Sequence, residues 1–242
     1  VNTFGWGTVS GGLLNATNAT AATVGGGSLN TASGNNSTVS GGNSNQAVGA
    51  FNSIGGGQSN YADSGSWSTI GGGQNNSTGT TGSNYNTIGG GFNNRTSSAY
   101  STVAGGRQNA ATGGDATVGG GNGNTSSGIS STVGGGNNNT AGDYSTVSGG
   151  FGNTATGGTA TVGGGSSNTA SGTSSTVAGG ENNKALTAFA STVGGGLNDT
   201  AAGLYSTVPG GRANKALGDY SFAAGRMAKA NHAGSFVWAD SS

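Results

Sequence analysis

The sequence contains no cysteine, one proline and one histidine, and charged residues make up only 6% of it. The absence of cysteine excludes a disulfide framework and a thiolate metal site. Seven basic residues balance seven acidic ones, so no excess charge attracts nucleic acid or an anionic membrane surface. No apolar run approaches the roughly 20 residues of a membrane-spanning helix. Because a disordered polar chain usually carries high net charge or abundant proline, we expect a folded chain with no nucleic-acid partner and no membrane contact within these residues.

Glycine is abundant instead, with 56 residues among 242, but it lacks the three-residue period of collagen. It accompanies a phrase, Ser-Thr-Val or a close variant, that returns at intervals of mostly 14 to 16 residues, with one of 18. The repeating unit reads S-T-V-x-G-G-x-x-N-x-A-x-G-x-x. Its aliphatic position is occupied by Val9 and then by the expected structural core, Val24, Val39, Ile54, Ile70, Ile88, Val103, Val118, Val133, Val147, Val162, Val177, Val193 and Val208. We expect Phe222 and Phe236 to continue this series.

Each position of the unit predicts a local structure. Ser-Thr-Val suits a short strand because it is β-branched and alternates, and Asn-x-Ala suits a second one. The Gly-Gly pair permits a positive φ and a sharp corner, and the later glycine begins another. Two strands and two corners describe one coil of a β-solenoid, whose successive coils stack at ~4.8 Å into a rod roughly 70 Å long. The asparagine column is then expected to form a ladder between coils, with glycan contact as the alternative.

The coil is thin, and this predicts association. One coil offers a core only one Val or Ile and one small residue. Burying a Val contributes ~1.5–3 kcal/mol, whereas ordering each residue's backbone costs ~1–2 kcal/mol. We therefore expect several copies of the chain to pack together around a common axis.

The C-terminal repeats resemble a known family. The segment "YSFAAGRMAKANHAGSFVW" from Tyr220 to Trp238 is similar to the S-V-A-I-G-x-x-S-x-A-x-G unit in YadA-like head repeats of trimeric autotransporter adhesins. The resemblance implies a left-handed parallel β-roll, a homotrimer and an adhesive role at the cell surface. Most repeats differ in carrying glycine at the second aliphatic position, as at Gly41 and Gly149. Related repeats also occur in bacteriophage tail fibres.

No residue pattern indicates catalysis. The seven acidic residues fall at different positions of the unit, whereas a glycosidase needs two carboxylates ~5–10 Å apart. Asp199 and Asp219 lie in neighbouring coils but in different columns. His232 has no second His or Cys nearby, so a metal site is not expected. We predict neither enzymatic activity nor a cofactor.

An aromatic column is the candidate ligand-contact site. Aromatic residues recur three positions before the aliphatic, where other units carry small or polar residues, so we expect this column to be partly exposed. Consecutive members lie where the repeat is irregular, and extra residues in a solenoid often form loops on a binding face. The alternative is that these rings only cover the edge of the roll or pack between protomers. The candidate residues are Phe51, Trp67, Tyr85 and Tyr100.

These observations divide the chain into residues 1–234, a β-roll head of 16 repeat units that is irregular around 61–86, and residues 235–242. In the latter, Phe236 and Trp238 are expected to cap the last coil or to begin a connection to a following domain. Because the chain begins with Val1 rather than Met, we expect it to be part of a longer protein.

Three functions remain open at this point. The first is a non-enzymatic, extracellular adhesin head that binds a matrix protein or a surface glycan. The second is a segment of a virion tail fibre or tailspike. The third is an ice-binding solenoid, because threonine precedes the aliphatic residue in nearly every unit. The basic residues near the end share columns, Lys184 with Lys215 and Lys229, and Arg212 with Arg226, which predicts either interchain ion pairs or a solvated surface.

Overall fold

The computed structural model describes residues 5–63, 65–79, 82, 84–186 and 189–240. These residues are all-β and contain no helix. They accordingly offer no helical segment long and apolar enough to cross a bilayer. The chain forms two compact units, Val1–Gly123 and Asn124–Ser242. Within each unit the strands of successive coils pair in parallel, so each unit is a parallel β-solenoid.

The first unit contains two series of strands. One series carries the aliphatic residue and comprises Thr8–Val9, Thr23–Val24, Thr38–Val39, Ser53–Ile54, Thr69–Ile70, Thr87–Ile88, Thr102–Val103 and Thr117–Val118. The other follows the glycine corner and comprises Ala16–Thr17, Thr31–Ala32, Gln46–Ala47, Tyr61–Ala62, Ser77–Thr78, Arg95–Thr96 and Ala110–Ala111.

The second unit repeats this arrangement. Its aliphatic series comprises Thr132–Val133, Thr146–Val147, Thr161–Val162, Thr176–Val177, Thr192–Val193, Thr207–Val208, Phe222–Arg226 and Phe236–Ala239. Its other series comprises Thr125–Ser126, Thr140–Ala141, Thr154–Ala155, Thr169–Ala170, Lys184–Ala185, Thr200–Ala201, Lys215–Ala216 and Lys229–Ala230. An additional strand, Gly211–Arg212, pairs with Gly225 and Arg226 of the next coil.

The interior of each coil is as thin as the repeat predicts. In a two-residue strand such as Thr161–Val162, the Val side chain points inward and is fully buried, while Thr161 stays partly exposed. Every expected core residue from Val24 to Val208 has no exposed surface, and Ala170 belongs to a second buried column that is mostly alanine, with Thr or Ser in a few coils. The rest of the interior is polar, since asparagine and serine columns are also buried.

A regular coil turns at three backbone positions of positive φ, of which the repeat predicts only the glycine; the irregular coil after Ile70 adds Gly79 and Gly82. At that position Gly136 has φ 90°, and an added Cβ would overlap the carbonyl oxygen of Gly150 in the next coil. Two further positions adopt the left-handed conformation with ordinary side chains, as at Asn138 with φ 55° and Tyr144 with φ 53°. Asparagine tolerates this conformation better than most residues, but no sequence signal identifies the aromatic position.

The asparagine column lies inside the coil and holds neighbouring coils together. The Asn139 Oδ1 accepts the backbone N–H of Asn153 at 2.9 Å. Its Nδ2 donates to the carbonyls of Gly135 and Gly150, each at 2.9 Å. Because the amide is buried and bonded on both sides, the structural interpretation of this column is confirmed and direct glycan contact by these side chains is excluded. The bonds run mainly to backbone groups rather than from amide to amide.

The expected continuation of the core series through Phe222 and Phe236 is wrong. Phe222 pairs with Thr207 and with Phe236, so both Phe rings take the outward threonine position. Ala223 takes the inward position instead and is fully buried. The coil that begins at Phe222 has one residue fewer before its glycine, because Gly225 aligns with Gly211. That single deletion joins the strand segments on the two sides of the corner into the one strand Phe222–Arg226, within which Gly225 keeps a φ of 96°.

Candidate functional site

The aromatic column of the first unit is a continuous stack. The ring centroids of Phe51 and Trp67 lie 5.2 Å apart, those of Trp67 and Tyr85 5.2 Å, and those of Tyr85 and Tyr100 5.1 Å, with interplanar angles of 8° or less. The side chains are 48%, 48%, 45% and 58% exposed, in chain order. The structure therefore brings together all four residues that the sequence analysis selected, and the predicted partial exposure is confirmed.

Backbone bonds at the corner set the spacing of this stack. Each member has a φ close to 60°, and its N–H donates to a carbonyl of the preceding coil. The Trp67 N–H bonds to the Ala50 carbonyl at 3.0 Å, and the Tyr85 N–H bonds to the Ser66 carbonyl at 3.0 Å. The extra residues of the irregular repeats precede the corner, so the column keeps its register. Of the expected loop, Ser64, Thr80, Thr81 and Ser83 lie outside the described residues.

The stack determines which chemistry these rings offer. Each inner ring has both faces covered by its neighbours, so a sugar ring cannot stack on Trp67 or Tyr85. The corner positions of the adjacent coils, Asn36 and Asp115, continue the same column beyond Phe51 and Tyr100. What the inner members present to solvent is their ring edges, which form a rigid, largely apolar stripe that also carries the hydroxyl groups of Tyr85 and Tyr100. Large exposed apolar patches commonly mark protein–protein contact surfaces, and aromatic anchors dominate the energetics of such contacts.

The second unit carries a smaller aromatic group, of which only Tyr205 lies three positions before an aliphatic residue of the repeat. The rings of Tyr205 and Tyr220 stack at 5.4 Å, and Phe189 meets Tyr205 edge-on at 5.7 Å. Tyr220 belongs to this column because the inward residue of its coil is Ala223, which the repeat pattern alone does not show. Phe189 was missed because it immediately precedes the corner residue Ala190, whose φ is 54°. Tyr144 is also exposed.

The acidic residues Asp143, Asp199 and Asp219 are occupied by contacts within the fold. The Asp143 carboxylate accepts the Ile129 N–H at 3.0 Å, and the Asp219 carboxylate accepts the Leu204 N–H at 2.9 Å. Asp199 is fully buried, so it cannot meet a sugar bond together with Asp219. Within the part of the chain that the structure describes, no three His, Asp or Glu side chains are grouped as metal ligands would be.

Asp199 replaces asparagine in the buried column and is chemically distinct for that reason. Its Oδ1 accepts the Asn214 N–H at 2.7 Å. Its Oδ2 occupies the place of the asparagine Nδ2 but has no hydrogen-bond partner, because the groups opposite are carbonyl oxygens. Burial raises the pKa of this carboxyl, and the hydrogen bonds with Asn214 oppose that rise.

Comparison with known proteins adds no family assignment: the chain matches no protein-family model and no curated protein.

Proposed function

We propose that the chain is a non-enzymatic, surface-exposed fibrous adhesin head segment that mediates attachment outside the cell. The observation that carries this proposal is the half-exposed stack of Phe51, Trp67, Tyr85 and Tyr100. Leaving four large aromatic side chains half in water forgoes burial free energy of ~25 cal/mol per Å². A binding role accounts for that loss, since such patches commonly mark interaction sites.

The partner that fits the stack best is a protein surface. Ring edges in a rigid row complement a flat aliphatic patch, and the ordered side chains lose little entropy on binding. An extracellular matrix protein meets this description. A surface glycan would have to contact the ring edges, because the inner faces are stacked and Asn36 and Asp115 continue the column beyond its two ends; it is the alternative outcome of the test.

We further propose a homotrimer of left-handed coils. The support is the thin interior, in which one aliphatic and one alanine column are buried beside polar columns. Packing of coils from three chains buries the outward Thr face and adds the apolar burial that one chain lacks. Light scattering on the purified chain is expected to give three times the 22.6 kDa chain mass. A monomer mass with intact strand circular dichroism would contradict this assembly.

The binding proposal is tested by screening the intact chain against matrix proteins and glycans. Trp67→Ala and Tyr85→Ala, each at the centre of the stack, are expected to weaken binding by at least ~2 kcal/mol, as anchor truncations typically do. Tyr144→Ala is the matched control, because Tyr144 is similarly exposed but lies outside the stack. Undiminished binding by both stack variants, or equal loss in the control, would refute the assignment.

The threonine columns support ice binding as a second candidate function. Thr146, Thr161 and Thr176 pair in register on successive coils and remain partly exposed, so their hydroxyl groups repeat at ~4.8 Å. A regular hydroxyl row can order water when the Thr face is exposed, so this function is an alternative to the trimer in which that face is buried. Thermal hysteresis of the purified chain tests this function, and Thr161→Val should lower the activity if the row is responsible. Absence of hysteresis would exclude it.

A further inference from the structure

A row of cationic side chains marks a second surface, in the 124–242 unit. Lys184, Thr200, Lys215 and Lys229 are direct partners on successive parallel strands. The ladder therefore fixes their backbone positions at a spacing of ~4.8 Å. All three lysines are exposed.

The surface is concave within this row. A depression of about 380 Å³ is lined by Asn182, Lys184, Asn198, Thr200, Ala213 and Lys215. Its shape follows from side-chain length, because the short Thr200 stands between two long lysines and the short Ala213 follows two asparagines. The corner residues Asn182 and Asn198 have φ values of 54° and 59°, so their side chains are held at the rim by the backbone turn.

The lining of the depression is rich in hydrogen-bond donors and positively charged. It contains two ammonium groups, a hydroxyl and two amides, and it contains no carboxylate. Neither Lys184 nor Lys215 forms an ion pair within 4.0 Å with any residue that the structure describes. Asp199 stands between the lining residues Asn198 and Thr200, but its carboxyl is fully buried inside the coil. Glu181, three residues before Lys184, belongs to a different column of the coil, beside Ser166 and Leu197. Like charges held in one rigid row repel one another, and a bound anion removes that repulsion.

We propose that this depression binds the anionic groups of an acidic polysaccharide. Lys184 and Lys215 are two coils apart, ~9.6 Å at the strand spacing, so their flexible side chains can converge on one sulfate or carboxylate above Thr200. Lys229 extends the row by one coil and meets the next anionic group of the same polymer. A polymer with repeated charges therefore satisfies the whole row, whereas a single small anion satisfies only part of it. The site is independent of the aromatic stack, since it lies in the other unit and uses charge rather than apolar contact.

The test measures binding of the intact chain to immobilised dextran sulfate, to the carboxylated polymer hyaluronan and to neutral dextran. Binding is expected to at least one of the two acidic polymers and not to dextran, and it should weaken steeply between about 0.05 and 0.5 M salt, at concentrations where surface charges are screened. The two acidic polymers distinguish sulfate from carboxylate as the recognised group. Equal binding to all three polymers would overturn the proposal.

Variants locate the site. The double variant Lys184→Gln/Lys215→Gln is expected to weaken binding at least tenfold with an unchanged melting temperature. The control Arg95→Gln/Arg107→Gln removes the same charge from the first unit, where Arg95 occupies the equivalent column, and should change binding less than threefold. Equal losses in the two double variants would show that net charge alone attracts the polymer, and this would overturn the site. Trp67→Ala should leave polysaccharide binding unchanged. The proposed protein binding by the aromatic stack and the proposed polysaccharide binding by the lysine row can therefore fail independently of each other.

Discussion

Replacing Asp199 by asparagine is expected to stabilise the 124–242 unit at neutral pH. In the neighbouring coil the Asn183 Nδ2 donates to the carbonyls of Gly179 and Gly196, each at 2.9 Å. The Asp199 Oδ2 stands in the corresponding place without a partner. The amide introduced by Asp199→Asn would complete the column by donating there as its neighbours do, while its oxygen keeps the bond from the Asn214 N–H.

The expected magnitude follows from these bonds. A buried polar group left without a partner costs about 1–3 kcal/mol, and a charged group costs more. We therefore expect Asp199→Asn to raise the unfolding free energy by about 1–3 kcal/mol at pH 8. At about 2–4 °C per kcal/mol for a chain of this length, the melting temperature should rise by several degrees.

The gain should depend on pH in a defined direction. Burial raises the native-state pKa of Asp199, so the native state holds this proton more strongly than the unfolded state. The stability from that protonation is complete below the unfolded pKa of about 4 and is lost as the pH rises through the native pKa. The advantage of Asp199→Asn should therefore be smallest near pH 4 and should grow toward pH 8.

Thermal unfolding followed by circular dichroism between pH 4 and pH 8 measures this difference. The contributions of the other titrating groups to stability cancel between the unmodified chain and Asp199→Asn. Asn168→Asp is the matched control, because Asn168 makes the same contacts to Gly164 and Gly180, each at 2.8 Å. It should lose stability with rising pH. An advantage of Asp199→Asn that is absent at pH 8, or larger at pH 4, would refute the reasoning.

Further stability predictions concern the corner and the ladder. Gly136→Val should destabilise the chain by at least about 2 kcal/mol, because it places a side chain at φ 90° against the carbonyl of Gly150, and backbone strain of this kind costs about 1–3 kcal/mol before the overlap is counted. The control Gly158→Ala, which places a methyl group in open space, should change the melting temperature by no more than a degree or two. Equal melting temperatures of the two variants would contradict the corner assignment. Asn139→Ala removes one accepted bond, from the Asn153 N–H, and three donated bonds, to the carbonyls of Gly135 and Gly150 and to the Asn124 Oδ1. At about 1 kcal/mol each, the loss should be about 2–4 kcal/mol in urea unfolding. A loss below about 1 kcal/mol would show that the ladder contributes little.

The sequence predicts the repeat, the inward aliphatic column and the glycine corner because each depends on local chemistry. Val162 faces inward and Gly165 has φ 85°, as the spacing indicates. The predicted register was wrong in the coil that begins at Phe222, where one residue is deleted before the glycine. At Phe222 the string Ser-Phe-Ala-Ala aligns equally well in two registers by residue type, and only pairing with Thr207 distinguishes them.

The candidate site was predicted in its residues but not in its geometry. The column position of Phe51, Trp67, Tyr85 and Tyr100 follows from counting along the chain. Their mutual stacking does not, because it depends on a left-handed corner at each ring, and nothing in the local sequence demands that conformation of an aromatic residue. The depression beside Lys184 was likewise invisible in the sequence, since it depends on the side chains of three successive coils.

All the proposed sites depend on in-register stacking of successive coils, and disulfide trapping measures this directly because the chain has no cysteine of its own. Thr161 and Thr176 are direct partners on adjacent coils, at a separation of ~4.8 Å that a disulfide spans. Thr161→Cys/Thr176→Cys is predicted to form an intrachain disulfide on mild oxidation. Thr161→Cys/Thr192→Cys, whose positions are two coils apart, should not. Equal trapping of both pairs, or trapping of the second pair alone, would contradict the fifteen-residue coil.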